Sequence, residues 1–435
     1  MDKIVISIII SLIGGALLSY NAEVTIVVLL IIVFSFCMYK YYIVKKLFNK
    51  SDLLKPIHMF SIYFIFYYFI GTINISEYRG IIHWKSISII IMGYLIFIAG
   101  SYIGLCFKYK KKVSRYNYSL IVVMLNVIIL ISILSCIIIT YQTRSILLFN
   151  QARRFLIGPS YLYLLELVGI VPLFVISFSK YFANKLSLRE KLIYLLLPIF
   201  LLSLSGYRGI PIAVIVECGL LYYKFLKPEK RRRALLIIVA FAVAINYFGF
   251  NIRRLPNSDL IETKKLVSNV KLNPTLIIIA PMHFSFRETI GLTQNIIEKF
   301  PIRYEYLHGK LLISDIATLL PGFQKSGPEI VNNYIVKDHK KAALTPSIFG
   351  AFYMDFGKMG VIFGCLILGI IAGYFYKRYS IQNDPQSLMN LVYVYIYMLH
   401  FIHRGIFKPS YLFFFIIINV IFMIARKRYR TTEYA

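Results

Sequence analysis

Long apolar runs recur along this chain, and they limit its fold more than any other feature. Runs of about 18 or more residues are long enough to cross a hydrocarbon core roughly 30 Å thick. Apolar residues make up 59% of the chain and aromatic residues 16%, a composition unlike that of soluble globular proteins. Continuous runs, rather than short alternating segments, favour helices over a β-barrel. The sequence therefore predicts an all-α polytopic membrane protein.

We predict twelve membrane spans. They lie at about 4–20, 24–44, 56–74, 86–107, 118–140, 160–179, 191–206, 209–226, 234–251, 358–376, 387–402 and 409–425. The first run lacks a clear small-residue cleavage site and leads directly into the second. We therefore interpret it as a retained helix, not a signal peptide.

Short basic clusters between the runs predict the orientation of the spans. With the N-terminus in the cytoplasm, the cytoplasmic connections hold 27 of the 49 Lys and Arg residues, and the short outer connections hold eight. Lys and Arg are enriched on the cytoplasmic side of membrane proteins, so both termini are predicted to be cytoplasmic. This clustering also accounts for the net charge of +30 without a nucleic-acid partner.

One long polar interval separates the ninth and tenth spans and is predicted to be extracytoplasmic. It divides the chain into transmembrane helices 1–9 (residues 1–251), a large outer loop (252–357), and helices 10–12 with a cytoplasmic tail (358–435). A structureless loop of this length is unusual. Apolar periodicity predicts a helix over 283–300 and a shorter one over 311–320.

The end of this interval predicts a helix that bends. Thr345 is predicted as its N-cap and Pro346 as its first residue, with the helix running toward Phe356 and breaking or bending at Gly357. Beyond the bend, glycines recur at four- or five-residue intervals, which favours close packing against a neighbouring helix. They are Gly360, Gly364, Gly369 and Gly373.

Arginines at outer helix ends are the strongest candidates for chemistry. Arg208 follows Tyr207 in a short turn flanked by Gly206 and Gly209, where the backbone can approach a ligand and a guanidinium can bind phosphate with two hydrogen bonds. We predict Arg208 as a catalytic residue. Such arginines suit a lipid-linked pyrophosphate, although each can instead anchor a helix end by reaching the lipid headgroups. The predicted substrate-binding residues are Tyr207, Arg154, Arg253, Arg254, Arg287, His403 and Arg404.

Acid–base candidates are less distinctive than the arginines. Asp338 and His339 are adjacent in the loop and are predicted to accept the proton of an attacking hydroxyl. Asp355 is predicted to be structural, capping or bonding at the bend before Gly357. The other candidates are His283, His308 and His403. A solvated loop residue is the alternative interpretation for each.

Two acids inside spans and several absent motifs complete the chemical prediction. Glu166 and Glu217 fall within apolar runs, where an ionisable group is costly and marks either a functional site or a buried packing partner. The sequence has no Asp-x-Asp, His-Glu-x-x-His, glycine-rich nucleotide loop or Gly-x-Ser-x-Gly elbow. Its five cysteines are widely spaced, without a metal or disulfide pattern. We predict a reaction without a metal or other cofactor.

The end of the long interval carries a family resemblance. The segment Leu344-Thr345-Pro346-Ser347-Ile348-Phe349-Gly350, followed by Asp355-Phe356-Gly357, resembles the signature that ends the large outer loop of the O-antigen polymerases (Wzy). These belong to the oligosaccharide repeat-unit polymerases. Leu319-Leu320-Pro321-Gly322, the Arg208 turn and the twelve-span layout are similar to that family as well. One departure is Ala351, where many members carry Glu, so the resemblance implies no catalytic carboxylate at this position.

The resemblance implies an enzyme of the bacterial cytoplasmic membrane with an architecture similar to the GT-C glycosyltransferases. A growing glycan on undecaprenyl pyrophosphate would be transferred to a sugar hydroxyl of one lipid-linked repeat unit, which would build O-antigen or capsule. Fixed cations serve the pyrophosphate leaving group. The implied partners are lipid-linked glycans and membrane lipid, with a chain-length regulator and a flippase as candidates. A flippase or transporter of lipid-linked oligosaccharide and an O-antigen ligase remain alternative functions.

Overall fold

The described part of the chain is helical. The computed structural model describes residues 54–72, 80–111, 115–148, 153, 157, 159–178, 186–206, 209–225, 280–317, 325–335, 344–405 and 407–426. Within these residues there are α-helices and a 3-10 turn but no β-strand. The all-α prediction is therefore confirmed for the described residues.

The helices are numbered here in chain order over the described residues. They are α1 (Pro56–Thr72), α2 (Trp84–Cys106), α3 (Tyr118–Thr143), α4 (Pro159–Glu166), α5 (Ile170–Ser177), α6 (Leu188–Leu204), α7 (Gly209–Phe225), α8 (Ala280–Lys299), α9 (Lys310–Ala317), α10 (Gly327–Ile335), α11 (Ile348–Gln382), α12 (Pro385–Arg404) and α13 (Pro409–Ala425). A 3-10 turn, Leu167–Gly169, joins α4 directly to α5.

Each predicted span that lies within the described residues coincides with a helix or, for 160–179, with α4 and α5 in succession. Three of them, α2, α3 and α11, are long and apolar enough to cross a membrane, and the remaining predicted spans correspond to shorter helices. The predicted spans at 4–20, 24–44 and 234–251 lie outside the described residues. The count of twelve and the cytoplasmic placement of the termini stay predictions.

The surface of α3 has the character of a lipid-facing helix. Large apolar side chains at helical spacing are about half exposed along one side of it, and such a stripe is normal where the surroundings are hydrocarbon rather than water. They are Val123, Val127, Leu130, Leu134 and Ile137.

The helix ends gather in two groups, as alternating spans require. At one end the Asn117 amide donates to the Ala425 carbonyl at 2.7 Å, and the Tyr116 hydroxyl donates to Gln386 at 3.0 Å. These contacts join the start of α3, the end of α13 and the start of α12. At the other end, the last turns of α1 and α12 meet the start of α11. The orientation predicted from charge stays a prediction.

A glycine seam joins α2 to α11. Gly100 and Gly104 of α2 face Gly369 and Gly373 of α11, and a β-carbon on any of the four would collide with backbone atoms of the facing helix. Small residues let helix backbones touch in a membrane, where burial of apolar surface gives no advantage over lipid. For Gly369 and Gly373 the predicted close packing against a neighbouring helix is confirmed.

The other two glycines serve the bend in α11. Gly357 has φ 64° and ψ −150°, a conformation that is essentially restricted to glycine, so the predicted bend at this residue is confirmed. Gly360 and Gly364 pack closely against Phe352, in the helical segment that precedes the bend. For these two residues the predicted close packing is made with the first part of α11, because the bend at Gly357 folds the two parts together.

The start of α11 differs from the prediction by two residues. Ser347, not Thr345, is the N-cap, and its hydroxyl accepts the N–H of Gly350 at 3.3 Å. The same hydroxyl lies 2.7 Å from the hydroxyl of Thr293 in α8. Because Ser347 satisfies the helix end and ties α11 to α8 at once, the helix starts there and Pro346 lies before the cap.

The long interval contains helices of its own, as predicted. The helix expected at 283–300 is α8, and the shorter one expected at 311–320 is α9. A further helix, α10, was not predicted. Of these, α8 packs mainly on α1 and α11, and α9 packs on α10 and α11. The loop helices therefore lie over the end of the bundle where α1, α11 and α12 meet.

Candidate functional site

The turn between α12 and α13 carries two cations. Arg404 is the last residue of α12 and Lys408 immediately precedes α13, and both side chains are half-buried. Gly405 follows Arg404 at φ 68°, and a β-carbon on it would collide with the carbonyl oxygens of Pro346-Ser347. Only glycine permits both this conformation and this close approach. The turn is therefore held directly against the Thr-Pro-Ser segment that starts α11.

A contact from α1 positions His403. The Tyr67 hydroxyl lies 2.9 Å from Nδ1 of His403, and Tyr67 is completely buried. Phe286 of α8 packs on Tyr67 with ring centroids 4.2 Å apart. The structure thus brings α1, α8 and α12 together beside Arg404. Substrate binding by His403 and by Arg404 stays a prediction.

Asp315 of α9 faces these cations and is not among the predicted site residues. The charges of Lys408 and Arg404 act on its carboxylate, as does that of Glu329. One carboxylate oxygen, Oδ1, accepts a 2.7 Å hydrogen bond from the N–H of Gly327 at the start of α10. Burial raises the pKa of the Asp315 carboxyl, while the Gly327 N–H and the two cations act in the opposite direction. The loop therefore brings an oriented carboxylate to the α12–α13 turn.

A second acid, Asp355, holds α9 in place. Its carboxylate oxygens accept the N–H groups of Leu311 at 3.1 Å and Leu312 at 2.9 Å. These N–H groups lie in the first turn of α9, where no intrahelical acceptor exists and the helix dipole favours negative charge. The prediction that Asp355 is structural and bonds near the bend is confirmed.

Arg287 of α8 is placed very differently from Arg404. Only 2% of it is exposed, and its Nη1 donates to the carbonyls of Gly71 at 3.2 Å and Thr72 at 3.3 Å, while Nη2 donates to Gly80. One turn earlier on α8, Nδ1 of His283 lies 2.8 Å from the carbonyl oxygen of Ile70. The carbonyls of residues 70–72 lie at the end of α1, where a helix leaves acceptors unsatisfied, and that of Gly80 lies shortly before α2. Arg287 therefore joins α8 to α1, and direct binding of a substrate would require it to release these carbonyls.

Most of the predicted site residues lie outside the described residues. They are Arg208, Asp338, His339, Tyr207, Arg154, Arg253 and Arg254. Two residues before Arg208, Gly206 has φ 70° and approaches the Leu147 carbonyl closely enough to exclude a β-carbon. The turn after α6 is therefore a neighbour of the segment after α3. The roles predicted for the seven residues stay predictions.

The two acids predicted within spans lie inside the helix bundle. Glu166 of α4 is 3% exposed and Glu217 of α7 is 5% exposed. Both acids interact with Tyr411 of α13, whose ring packs on His400 with centroids 4.8 Å apart. Both acids thus face the interior, as either a functional or a packing role requires. Within the described residues no three His, Cys, Asp or Glu side chains are grouped as metal ligands.

Sequence reasoning missed three residues that shape this site: Tyr67, Asp315 and Lys408. Lys408 entered only the count of outer charges, although it is four residues after Arg404. Asp315 carried a usable signal, because it is an acid inside the apolar run of α9. Tyr67 gave none, since it is one of many aromatic residues in an apolar helix and its partner is 336 residues away.

Comparison with known proteins supplies the family. The family model described as "Putative O-antigen polymerase" matches residues 52–415. This range covers most of the chain and includes α1 to α12 and the loop helices. No curated protein and no solved structure matches the chain. The length of the family match shows that this chain belongs to the O-antigen polymerase family.

Proposed function

We propose that this protein joins undecaprenyl-pyrophosphate-linked oligosaccharide repeat units into a surface polysaccharide at the outer face of the bacterial cytoplasmic membrane. The growing glycan is the donor and a single lipid-linked repeat unit is the acceptor. Family membership supports a polymerase-type function in polysaccharide biosynthesis. The proposal adds the lipid carrier, the membrane face and the roles of individual residues to what the family match supports.

The observation that carries the proposal is the cationic turn between α12 and α13. Arg404 and Lys408 lie half-buried in this turn at a helix-bundle end. Gly405 between them packs against the Pro346-Ser347 carbonyls, and both charges act on Asp315 of the loop helix α9. An ammonium and a guanidinium together suit a diphosphate, and the guanidinium can bind two of its oxygens at once. A half-buried position strengthens such pairing relative to one in open water.

This arrangement supports a transfer in which the protein stabilises the leaving group. As the bond between the donor sugar and the diphosphate breaks, negative charge accumulates on the diphosphate. Cations already fixed at that place stabilise the transition state more than the ground state. We assign this role to Arg404 and Lys408. Arg208 stays the further catalytic arginine predicted from the sequence, and Tyr207 and His403 stay predicted substrate-binding residues.

The loop helices form a cover over the end of the bundle where α1, α11 and α12 meet, and in this proposal the two glycans react beneath it. Because α8 is tied to α1 through Arg287 and to α11 through Thr293, the cover is fixed to the bundle at two points. A cover of this kind excludes water, which would otherwise hydrolyse the donor. A transporter of lipid-linked glycan has no comparable need for it.

The test is extension of a synthetic undecaprenyl-pyrophosphate-linked repeat unit by the purified full-length protein. A ladder of products that differ by one repeat unit is the expected result, with equal yield in the presence of a chelator. A flippase leaves the repeat unit at its original length, and so does a ligase supplied with no other acceptor. Unchanged substrate would therefore contradict the proposal, and loss of the ladder on chelation would contradict its metal-independent form.

A further inference from the structure

We propose that Asp315 is the base that accepts the proton of the attacking sugar hydroxyl. The inference rests on the proposed function and adds the residue that activates the acceptor. It replaces the Asp338-His339 pair predicted from the sequence in that role.

Asp315 has the position that such a base requires. In glycosyl transfer the attacking hydroxyl and the leaving diphosphate are attached to the same carbon in the transition state, with the reacting atoms about 3 Å apart beforehand. A base must therefore lie close to the cations that bind the leaving group. The charges of Arg404 and Lys408 both act on Asp315, which places this carboxylate within the same electrostatic environment.

Hydrogen bonds fix the orientation of the Asp315 carboxylate. Asp315 Oδ1 is held by the N–H of Gly327 at 2.7 Å, and α9 itself is held by the two N–H bonds to Asp355. The carboxylate is thus fixed through α9 to the bend of α11 and through α10 to the rest of the loop. Fixed placement of a base within hydrogen-bond reach is the first requirement of proton abstraction.

The surroundings of Asp315 also shift the pKa of its carboxyl. Partial burial raises the pKa of the Asp315 carboxyl and so makes it a stronger base, whereas the Gly327 N–H, Lys408 and Arg404 favour its charged form. The charge of Glu329 also acts on Asp315 and, like burial, raises its pKa. A carboxylate with a raised pKa is more basic than a solvated aspartate, which suits general base catalysis.

The step balances without a further reactant. The acceptor hydroxyl gives its proton to the Asp315 carboxylate while its oxygen forms a bond to the anomeric carbon of the donor glycan. The bond from that carbon to the diphosphate oxygen breaks, and its electron pair leaves with the lipid diphosphate. Asp315 then returns the proton to water or to the released diphosphate.

The experiment compares Asp315→Asn with the wild-type protein in the extension assay. Asparagine keeps an oxygen for the Gly327 N–H, so the link between α9 and α10 survives while the base is removed. We expect kcat to fall about 10²- to 10⁴-fold, with a donor KM that is unchanged or lower because a competing anion has been lost. The wild-type rate falls as pH drops through the raised pKa of Asp315, and this acid limb disappears in the variant.

Three comparisons complete the test. Glu329→Gln, a neighbouring acid whose Oε2 accepts the Ser326 N–H, should retain a normal rate, and Asp338→Asn should retain more activity than Asp315→Asn. If Asp315→Asn does not fold, Asp315→Glu takes its place, with a shifted acid limb as the expected result.

Two outcomes overturn the inference, and a third is separate from it. The inference is overturned if Asp315→Asn keeps a kcat within tenfold of wild type and an unchanged acid limb. Asp315 would then only connect α9 to α10 or pair with the cations. A larger loss in Asp338→Asn than in Asp315→Asn restores the pair predicted from the sequence. A wild-type protein that extends nothing overturns the proposed function instead.

Discussion

Two arginines at the same end of the bundle have opposite environments. Arg287 is 2% exposed, and its guanidinium is occupied by carbonyl oxygens of the segments that end α1 and precede α2. Arg404 is half-buried in the α12–α13 turn, beside Lys408 and facing Asp315. The first environment consists of fixed backbone dipoles, and the second consists of charges on side chains. Arg287 therefore suits a structural task, whereas Arg404 suits a ligand that arrives with its own negative charge.

The comparison teaches how to separate two uses of arginine in one membrane protein. A guanidinium that satisfies the end of a helix stabilises the folded state whether or not substrate is present. One that faces a movable anion contributes most when a charged group forms or binds. Substitutions at the two positions should therefore affect different measurements.

The largest expected effect is on catalysis at Arg404. Arg404→Ala should lower the rate of chain extension about 10²- to 10³-fold, because one fixed donor to the leaving group is lost. Folded yield should stay normal, since the side chain is half-buried at a helix end. Extension kinetics and size-exclusion chromatography measure the two quantities. Arg404→Lys should recover only part of the rate, because an ammonium cannot bind two oxygens side by side; a normal rate in Arg404→Ala would remove the distinction between the two arginines.

The next effect is on stability at Arg287. Arg287→Ala leaves three carbonyls without their donor and should lower the free energy of unfolding by about 3 kcal/mol. Thermal unfolding in detergent, followed by intrinsic fluorescence, measures the change. Arg287→Lys should rescue little, because one ammonium cannot reach all three carbonyls in this geometry. If Arg287→Ala instead folds normally and extends chains slowly, Arg287 belongs with Arg404 as a substrate-binding residue.

The smallest effect is expected at Tyr67. Tyr67→Phe removes the hydroxyl beside His403 and should cost about 1 kcal/mol, which corresponds to roughly a fivefold lower rate if His403 positions substrate. Tyr63→Phe, one turn earlier on α1, is the matched control and should be neutral. Equal effects of the two substitutions would show that the contact between Tyr67 and His403 is not used.

Much of the fold could be predicted because membrane helices are specified by local sequence patterns. Apolar runs placed the described helices, and the bend at Gly357 was predictable because a bend in a helix often needs glycine. The start of α11 was missed by two residues, since both Thr345 and Ser347 are good caps and the choice depends on Thr293, which is distant in sequence.

The site was less predictable because the roles of its residues depend on contacts between segments that are distant in sequence. Arg287 and Arg404 look equivalent in the sequence, and only the carbonyls at 71, 72 and 80 distinguish them. Asp315 looks like a loop acid until α9 is placed over the α12–α13 turn. Both distinctions depend on tertiary structure and not on residue type.

The glycine seam also determines where a lipid cannot enter. Along Gly100, Gly104, Gly369 and Gly373 the backbones of α2 and α11 are in contact, so no hydrocarbon chain can wedge between these two helices. This side of the bundle is a closed wall. The long tail of a lipid substrate must therefore cross the bundle boundary between other helices.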